Sequence, residues 1–237
     1  MAKHWLARTR LFLTLGTAVM LASPALAQNV DAPSPPSADP AVAALVDRID
    51  IPFERFTLDN GLTVIVHTDR KAPVVAVSVW YDIGSKDEPA GSTGFAHLFE
   101  HIMFNGTENA PGDFFTWLQD IGATDLNGTT NPDRTNYFET MPSNQLEVAL
   151  WLEADRMGFL LDAVTQKKFE IQRSTVKNER GQNYDNRPYG LVNEKTYQAM
   201  YPYGHPYSWS TIGYLVDLDR VDVSDLKAVF LRWYGPN

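Results

Sequence analysis

The chain has 237 residues, no cysteine, and 29 acidic against 20 basic residues, for a net charge of −9. This charge argues against binding of nucleic acid, which depends on basic patches that neutralise phosphates. The lack of cysteine excludes disulfides, thiolate metal ligands and a lipid-modified cysteine.

The first 27 residues have the pattern of an export signal. A positive start with Lys3, Arg8 and Arg10 precedes an apolar run at residues 11–21, and Ala-Leu-Ala ending at Ala27 forms a small-x-small cleavage site. The apolar run is too short to span a bilayer as a stable helix, so no stable membrane anchor is expected. We therefore predict cleavage after Ala27 and export, most simply to a bacterial periplasm.

Residues 28–50 are rich in proline, alanine, serine and aspartate. Such a segment has too little apolar material to pack and is predicted to be a linker. Residues 51–237 are then long enough for one domain with a single core.

The domain is expected to begin with strands. Residues 53–58 and 62–67 are rich in β-formers and flank Asn60-Gly61, a strong signal for a hairpin turn. Residues 72–83 form a longer apolar strand, and the continuous apolar runs suggest that parts of this sheet are covered on both faces.

Residues 94–101, Gly-Phe-Ala-His-Leu-Phe-Glu-His, carry the clearest chemical signal. Four residues of α-helix turn through about 400°, so His97 and His101 lie nearly one above the other and Glu100 borders the same face. Two neutral imidazoles at this spacing can share a zinc ion, and a neighbouring carboxylate can take a proton from the metal-bound water. The order His-x-x-Glu-His is a metallopeptidase signature. The alternative is a helix with two ordinary histidines.

Local signals also set the bounds of this helix and of the elements after it. Ser92 or Thr93 is expected to cap the helix, and Gly106 to follow its end. Residues 111–121 are predicted to form a short helix, followed by two strands at residues 122–130 and 134–139. The apolar side chains of the motif helix are expected to belong to the core: Phe95, Leu98, Phe99 and Met103.

Two later helices, at residues 145–160 and 165–185, offer a third metal ligand. Glu153 lies in the middle of an apolar stripe, where it is either a metal ligand or satisfied by a buried bond to Arg156 or to a backbone group. Glu179 flanks the inward-facing stripe of the second helix. From spacing alone the third ligand is open between these two residues, with Glu179 favoured.

Residues 94–104 and 176–180 resemble the zinc site of the pitrilysin/insulinase family, which includes the mitochondrial processing peptidases. The second match begins about 75 residues after His101, where the family places its glutamate ligand. The resemblance covers about residues 50–237 and is closest to bacterial exported zinc proteases. Further matches lie at residues 127–130, 150–157, 205–207 and 232–237.

This resemblance implies an α+β fold, a largely antiparallel β-sheet packed against helices on one side, as in mitochondrial processing peptidase-like metallohydrolases. It implies one zinc ion per chain, bound by His97, His101 and Glu179, with Glu100 as the general base. It also implies that a peptide substrate adds as a strand near Asn127. The expected function is a zinc-dependent endopeptidase acting on peptides or unfolded proteins.

The sequence departs from the family at two positions. Gln172 stands where pitrilysin-like members have a second glutamate, which Glu153 could replace. Gly128 stands where many relatives have alanine, a difference that is not expected to touch the chemistry.

In the family, the last strands of this domain and a homologous second domain or subunit follow the segment that ends at Asn237. We therefore expect the domain to be incomplete at its C-terminal end. One alternative function is an inactive or non-catalytic fragment that binds peptides or a partner subunit, and another is a zinc hydrolase with a non-peptide substrate. His205 is expected to be a loop histidine bonded to backbone, with orientation of the substrate as the alternative.

Overall fold

A computed structural model describes residues 51–235, so the predicted export signal and linker lie outside the described residues. Strands β1 (Glu54–Thr57) and β2 (Thr63–Val66) open the described part as an antiparallel hairpin. Its turn contains Gly61 at a φ of 93°, a conformation that glycine adopts without steric cost. The predicted Asn60-Gly61 hairpin is therefore confirmed.

A second, three-stranded sheet consists of β3 (Val74–Tyr81), β4 (Thr124–Thr130) and β5 (Thr135–Pro142). Its order is β3-β5-β4 and both pairings are antiparallel. Alternate side chains of β3 are exposed, Trp80 by 63%. The prediction that parts of this sheet are covered on both faces therefore fails for most of β3, but it is confirmed at the start of β5, where the consecutive residues Thr135, Asn136 and Tyr137 are all buried.

The first four helices of the described part follow the predicted order, whereas the helices at Val192–Met200 and Leu215–Leu218 were not predicted. A π-helical turn, Gly181–Asp185, continues α4 beyond its last α-helical residue. No helix among residues 51–235 is both long and apolar enough to cross a membrane. The helices are α1 (Phe95–Ile102), α2 (Phe114–Asp120), α3 (Leu146–Ala163), α4 (Gln166–Arg180), α5 (Val192–Met200), α6 (Leu215–Leu218) and α7 (Val223–Trp233).

Helix α1 lies at the centre of the fold, between β4 and α4. The four apolar side chains predicted to belong to the core are buried there: Phe95, Leu98, Phe99 and Met103. Each contributes roughly 1.5–3 kcal/mol by leaving water. The burial of these side chains fixes the direction in which the polar face of α1 points. The predicted α+β class, with helices on one side of an antiparallel sheet, is confirmed.

The start of α1 differs from the prediction. Its N-cap is Gly94, at a φ of 85°, and the carboxylate of Glu88 accepts hydrogen bonds from the backbone N–H of Gly94 (3.1 Å) and of Ala96 (2.8 Å). The Thr93 hydroxyl instead donates to Asp217 at 2.8 Å. The predicted cap by Ser92 or Thr93 is therefore wrong, because the buried side chain of Glu88 satisfies the free N–H groups at the helix start.

Arg156 forms a buried ion pair with Glu153 beneath the sheet. Its guanidinium donates to both carboxylate oxygens of Glu153, at 2.9 and 2.5 Å, and lies 4.3 Å from the ring centres of Phe114 and Tyr137. This bidentate bond satisfies the carboxylate on the apolar stripe of α3. The alternative of a buried bond to Arg156 is the correct one for Glu153.

We expect Glu139 to make the fold less stable as the pH rises from about 5 to 8. Glu139 is only 2% exposed, and burial, followed by the neighbouring Glu153, raises its pKa to about 8. An unfolded glutamate has a pKa of about 4.3, so the folded state binds more protons in this window and loses that stabilisation as the pH rises through 8. The Glu139→Gln variant should lack this part of the decline, roughly 2 to 4 kcal/mol.

Urea unfolding of both proteins at pH 5.5 and 8.5, without added metal, measures the difference. An identical pH dependence in the two proteins would show that Glu139 is already ionised in the native state.

Candidate metal centre

Two imidazoles from α1 and one carboxylate from the last turn of α4 converge. The Nε2 atom of His101 lies 3.5 Å, and that of His97 3.8 Å, from Oε2 of Glu179. One ligand atom from each of the three residues lies within 4.8 Å of the other two. Two nitrogens and one oxygen fit a zinc site with three protein ligands and one open position.

The buried apolar faces of α1 and α4 determine the direction in which the three candidate ligands point. Phe99 is fully buried and lies about 160° round the helix from both His97 and His101, so the histidines face away from the core. Phe169 and Val176 bury the corresponding stripe of α4 in the same core. Glu179, three residues after Val176, is therefore turned toward the histidines.

The electrostatics of His97 and Glu179 favour the forms of these two side chains that bind metal. Burial, and then the neighbouring His101, lowers the pKa of His97 to about 4, so its imidazole is neutral at pH 7. The pKa of Glu179 is lowered chiefly by a hydrogen bond with His101, which keeps the carboxylate ionised. A neutral imidazole and an ionised carboxylate are the ligand forms that zinc requires.

Glu100 lies on the same side of α1, with 7% of its surface exposed. The hydroxyl of Thr130, at the end of β4, donates a hydrogen bond to its Oε2 atom. Burial raises the pKa of Glu100 above its ordinary value. A carboxylate with a raised pKa, one oxygen of which has no donor among residues 51–235, can accept a proton.

The three candidate ligands and Glu100 line one cleft of about 430 Å³. Strand β4 forms the opposite wall. The lining residues are His97, Glu100, His101, Phe104, Phe115, Asn127, Gly128, Thr129, Thr130 and Glu179.

Asn127, the predicted substrate-binding residue, is on the β4 wall. Its Oδ1 atom accepts a hydrogen bond from the backbone N–H of Gly128 at 2.9 Å. Strand β4 pairs with β5 along one edge, and within residues 51–235 no strand pairs with its other edge. An open edge of this kind can accept an extended peptide.

Sequence reasoning missed several residues of the cleft. Phe104 and Phe115 stack at 4.3 Å between ring centres and form an apolar part of the wall. Thr130 was also missed, although the period-two pattern of a strand places it on the same face as Gly128, which the sequence had singled out.

The expectation that the difference at residue 128 does not touch the chemistry stays a prediction, but Gly128 packs closely against the general-base candidate. A Cβ atom at Gly128 would lie 2.9 Å from the Phe104 ring and 3.1 Å from Cγ of Glu100. These contacts are tighter than ordinary van der Waals distances, so an alanine here would shift Phe104 or press on Glu100. Glycine therefore leaves the room that the Glu100 side chain occupies.

The other candidates lie outside the metal cluster. Nδ1 of His205 accepts a hydrogen bond from the backbone of Tyr207 at 3.1 Å, so it is the loop histidine that was expected. Gln172 donates to Asn105 at 3.3 Å, and Glu153 is bound by Arg156, so Glu153 does not replace an acid at position 172.

The sequence was compared with protein-family models and with known proteins. The model described as "Insulinase (Peptidase family M16)" matches residues 63–208. The zinc protease PqqE of Helicobacter pylori is 34% identical over 185 residues, which are 77% of this chain and 41% of the relative. The probable zinc protease PqqL of Escherichia coli is 27% identical over 201 residues, 76% of this chain and 20% of the relative.

Solved structures agree with these matches. A protease from Helicobacter pylori superposes with a TM-score of 0.74 and 33% identity, covering 78% of this chain and 44% of that one. The periplasmic protease PqqL from Escherichia coli has a TM-score of 0.69 at 21% identity, covering 79% of this chain and 21% of that one, and this likeness shows the fold alone. The chain thus spans less than half the length of these relatives. Since the family model matches more than half of the sequence, the chain belongs to the insulinase family of peptidases, family M16.

Proposed function

We propose that this chain carries the zinc site and the general base of a zinc-dependent endopeptidase. The observation that carries the proposal is the convergence of His97, His101 and Glu179 beside Glu100 on one wall of a cleft. Membership of a peptidase family and the resemblance to named zinc proteases support it. One zinc ion per chain is expected, held by the two imidazoles and the carboxylate.

When bound, zinc would activate a water molecule and polarise the scissile carbonyl. The side chain of Glu100 then accepts the proton of the attacking water and delivers it to the leaving amine. Thr130 holds one oxygen of this carboxylate, which leaves the other oxygen directed at the proton. The raised pKa of Glu100 makes its carboxylate a stronger base toward the proton of the water.

An extended substrate suits the opposite wall. A peptide can pair with the open edge of β4 at Asn127, with its scissile bond next to the metal site. Such pairing needs an unfolded or flexible segment, so peptides and unfolded proteins are the proposed substrates. Phe104 and Phe115 offer an apolar surface for a substrate side chain.

The proposed setting includes a homologous second domain or subunit and export to a bacterial periplasm. The second domain or subunit is the one that the family resemblance implies, and a solved structure described as the first half of the Escherichia coli protease PqqL supports it. Export rests on the pattern of residues 1–27, and the PqqL relative is described as periplasmic.

We expect the protein to cleave an unfolded, internally quenched peptide, with cleavage abolished by a chelator and restored by one equivalent of zinc. The assay uses the chain alone and the chain mixed with the homologous second domain of a family member, because the proposed setting includes such a domain. A chain that binds no zinc would contradict the proposal. Stoichiometric zinc without cleavage of any peptide in either form would favour the non-catalytic alternative.

A further inference from the structure

The ligands of the proposed zinc site come from two helices, and one segment contacts the ends of both. Residues 210–214, here called the bracket, lie between α5 and α6. A turn closed by the bond from the N–H of Gly213 to the carbonyl of Ser210, at 2.9 Å, shapes the bracket. Its backbone lies against the start of α1 and is bound by the last residue of α4.

The contact with α1 is unusually close. Gly213 and Gly94 both have positive φ angles, 70° and 85°, and a Cβ atom at Gly213 would lie only 2.2 Å from the backbone nitrogen of Gly94. Next to them, the hydroxyl of Thr93 accepts a hydrogen bond from the N–H of Tyr214 at 3.0 Å and donates to Asp217 at 2.8 Å. The bracket is therefore fixed against the N-terminus of the helix that carries both histidines.

The contact with α4 is made by Arg180, the residue directly after Glu179. Arg180 is 6% exposed, and its guanidinium donates to the carbonyl oxygen of Gly213 and to Glu194, the latter at 2.9 Å. It also lies 3.3 Å from Asp185, in the π-helical turn. A planar guanidinium can serve a carbonyl and two carboxylates together, which a lysine ammonium on a flexible stem does poorly.

We propose that Arg180 is a positioning residue for Glu179, and that it acts by tying the end of α4 to the bracket. This inference rests on the proposed zinc site. The chain of contacts runs from Glu179 through Arg180 and Gly213 to Gly94, three residues before His97. The tie thereby sets the distance between the carboxylate ligand and the two imidazoles.

The test compares two identical substitutions on the same helix. Arg180→Lys keeps the positive charge next to Glu194 but loses the planar guanidinium that donates to several acceptors at once. Arg173→Lys is the matched control. Arg173 also donates to a backbone carbonyl, that of Val221 at 3.2 Å, and to the carboxylate of Glu170, far along the helix from the ligand. Zinc affinity is measured by competition with a chelator, and the visible spectrum of the cobalt-substituted protein reports the ligand geometry.

We expect Arg180→Lys to weaken zinc binding about 10-fold and to change the cobalt spectrum, with Arg173→Lys within about twofold of the wild type. The same substitution is then made in a Glu179→Gln background. There, Arg180→Lys should have almost no further effect, because the ligand that it positions is gone. An undiminished loss of affinity in that background would mean that Arg180 acts on the fold as a whole, and would overturn the inference.

A second pair of variants tests the α1 end of the bracket and applies if Arg180→Lys fails to fold. Thr93→Val removes both hydroxyl bonds and should weaken zinc binding about 10-fold, whereas Thr93→Ser should restore it. Equal affinity in Thr93→Val and the wild type would contradict the bracket. A wild-type protein that binds no zinc would overturn the proposed function itself, whereas zinc-binding variants indistinguishable from the wild type would overturn only the inference.

Discussion

The Glu100→Gln variant is expected to lose peptide hydrolysis by about 100- to 10,000-fold while it keeps one zinc ion per chain. The amide has nearly the same shape and its oxygen can still accept the hydrogen bond of Thr130. It cannot take up a proton at the pH of the assay. The three candidate metal ligands are unchanged, so the loss should appear in kcat rather than in the zinc content.

The measurement pairs kcat and KM with the zinc content of the same sample. Glu108→Gln is a suitable control, because Glu108 is exposed and lies outside the cleft, so this variant should retain both activity and zinc. Retained hydrolysis in Glu100→Gln would remove Glu100 from the role of general base. Loss of zinc in this variant would place its effect on the metal site instead of on proton transfer.

The part of the site that follows from local geometry was predictable from the sequence. The spacing of His97, Glu100 and His101 fixes their common face once the segment is helical, and the helix was marked by its apolar residues. The phase of α4 likewise placed Glu179 beside its buried stripe. These relations depend only on residues a few positions apart, and the structure brings all four residues to one cleft.

The parts that depend on distant contacts were not predictable. Thr93 is a good capping residue by composition, yet its hydroxyl is bonded to Asp217, 124 positions later, and Glu88 takes its place at the helix start. Thr130 reaches Glu100 only because β4 crosses α1. Nothing in the local sequence around either residue signals these partners.

Glu153 illustrates an ambiguity that the sequence contained but could not resolve. A carboxylate in an apolar stripe needs a partner, and both a metal ion and the arginine three positions later could serve. The structure decides for Arg156, which is itself buried between two aromatic rings and needs an anionic partner as much as Glu153 needs a cation. For Glu153, the arginine three positions later on the same helix was thus a better predictor of its partner than the metal site.

Glu179 and Glu153 are expected to respond to the same substitution in opposite ways. Glu179→Gln should weaken zinc binding by at least about 100-fold, because a neutral amide is a poor ligand for zinc and only two imidazoles remain. It should leave the stability of the metal-free protein nearly unchanged, because the Glu179 side chain is about one-third exposed. Glu153→Gln should keep zinc bound and instead lower the free energy of unfolding.

The cost in Glu153→Gln arises because the buried guanidinium of Arg156 loses its counter-ion, and we expect about 2 to 4 kcal/mol. Chelator competition measures the zinc affinity of the two variants, and urea unfolding without metal measures their stability. The crossed result, with affinity lost in one variant and stability in the other, separates a ligand from a structural ion pair. The reverse pattern would make Glu153 the third ligand and would require the end of α4 to lie elsewhere in the metal-bound protein.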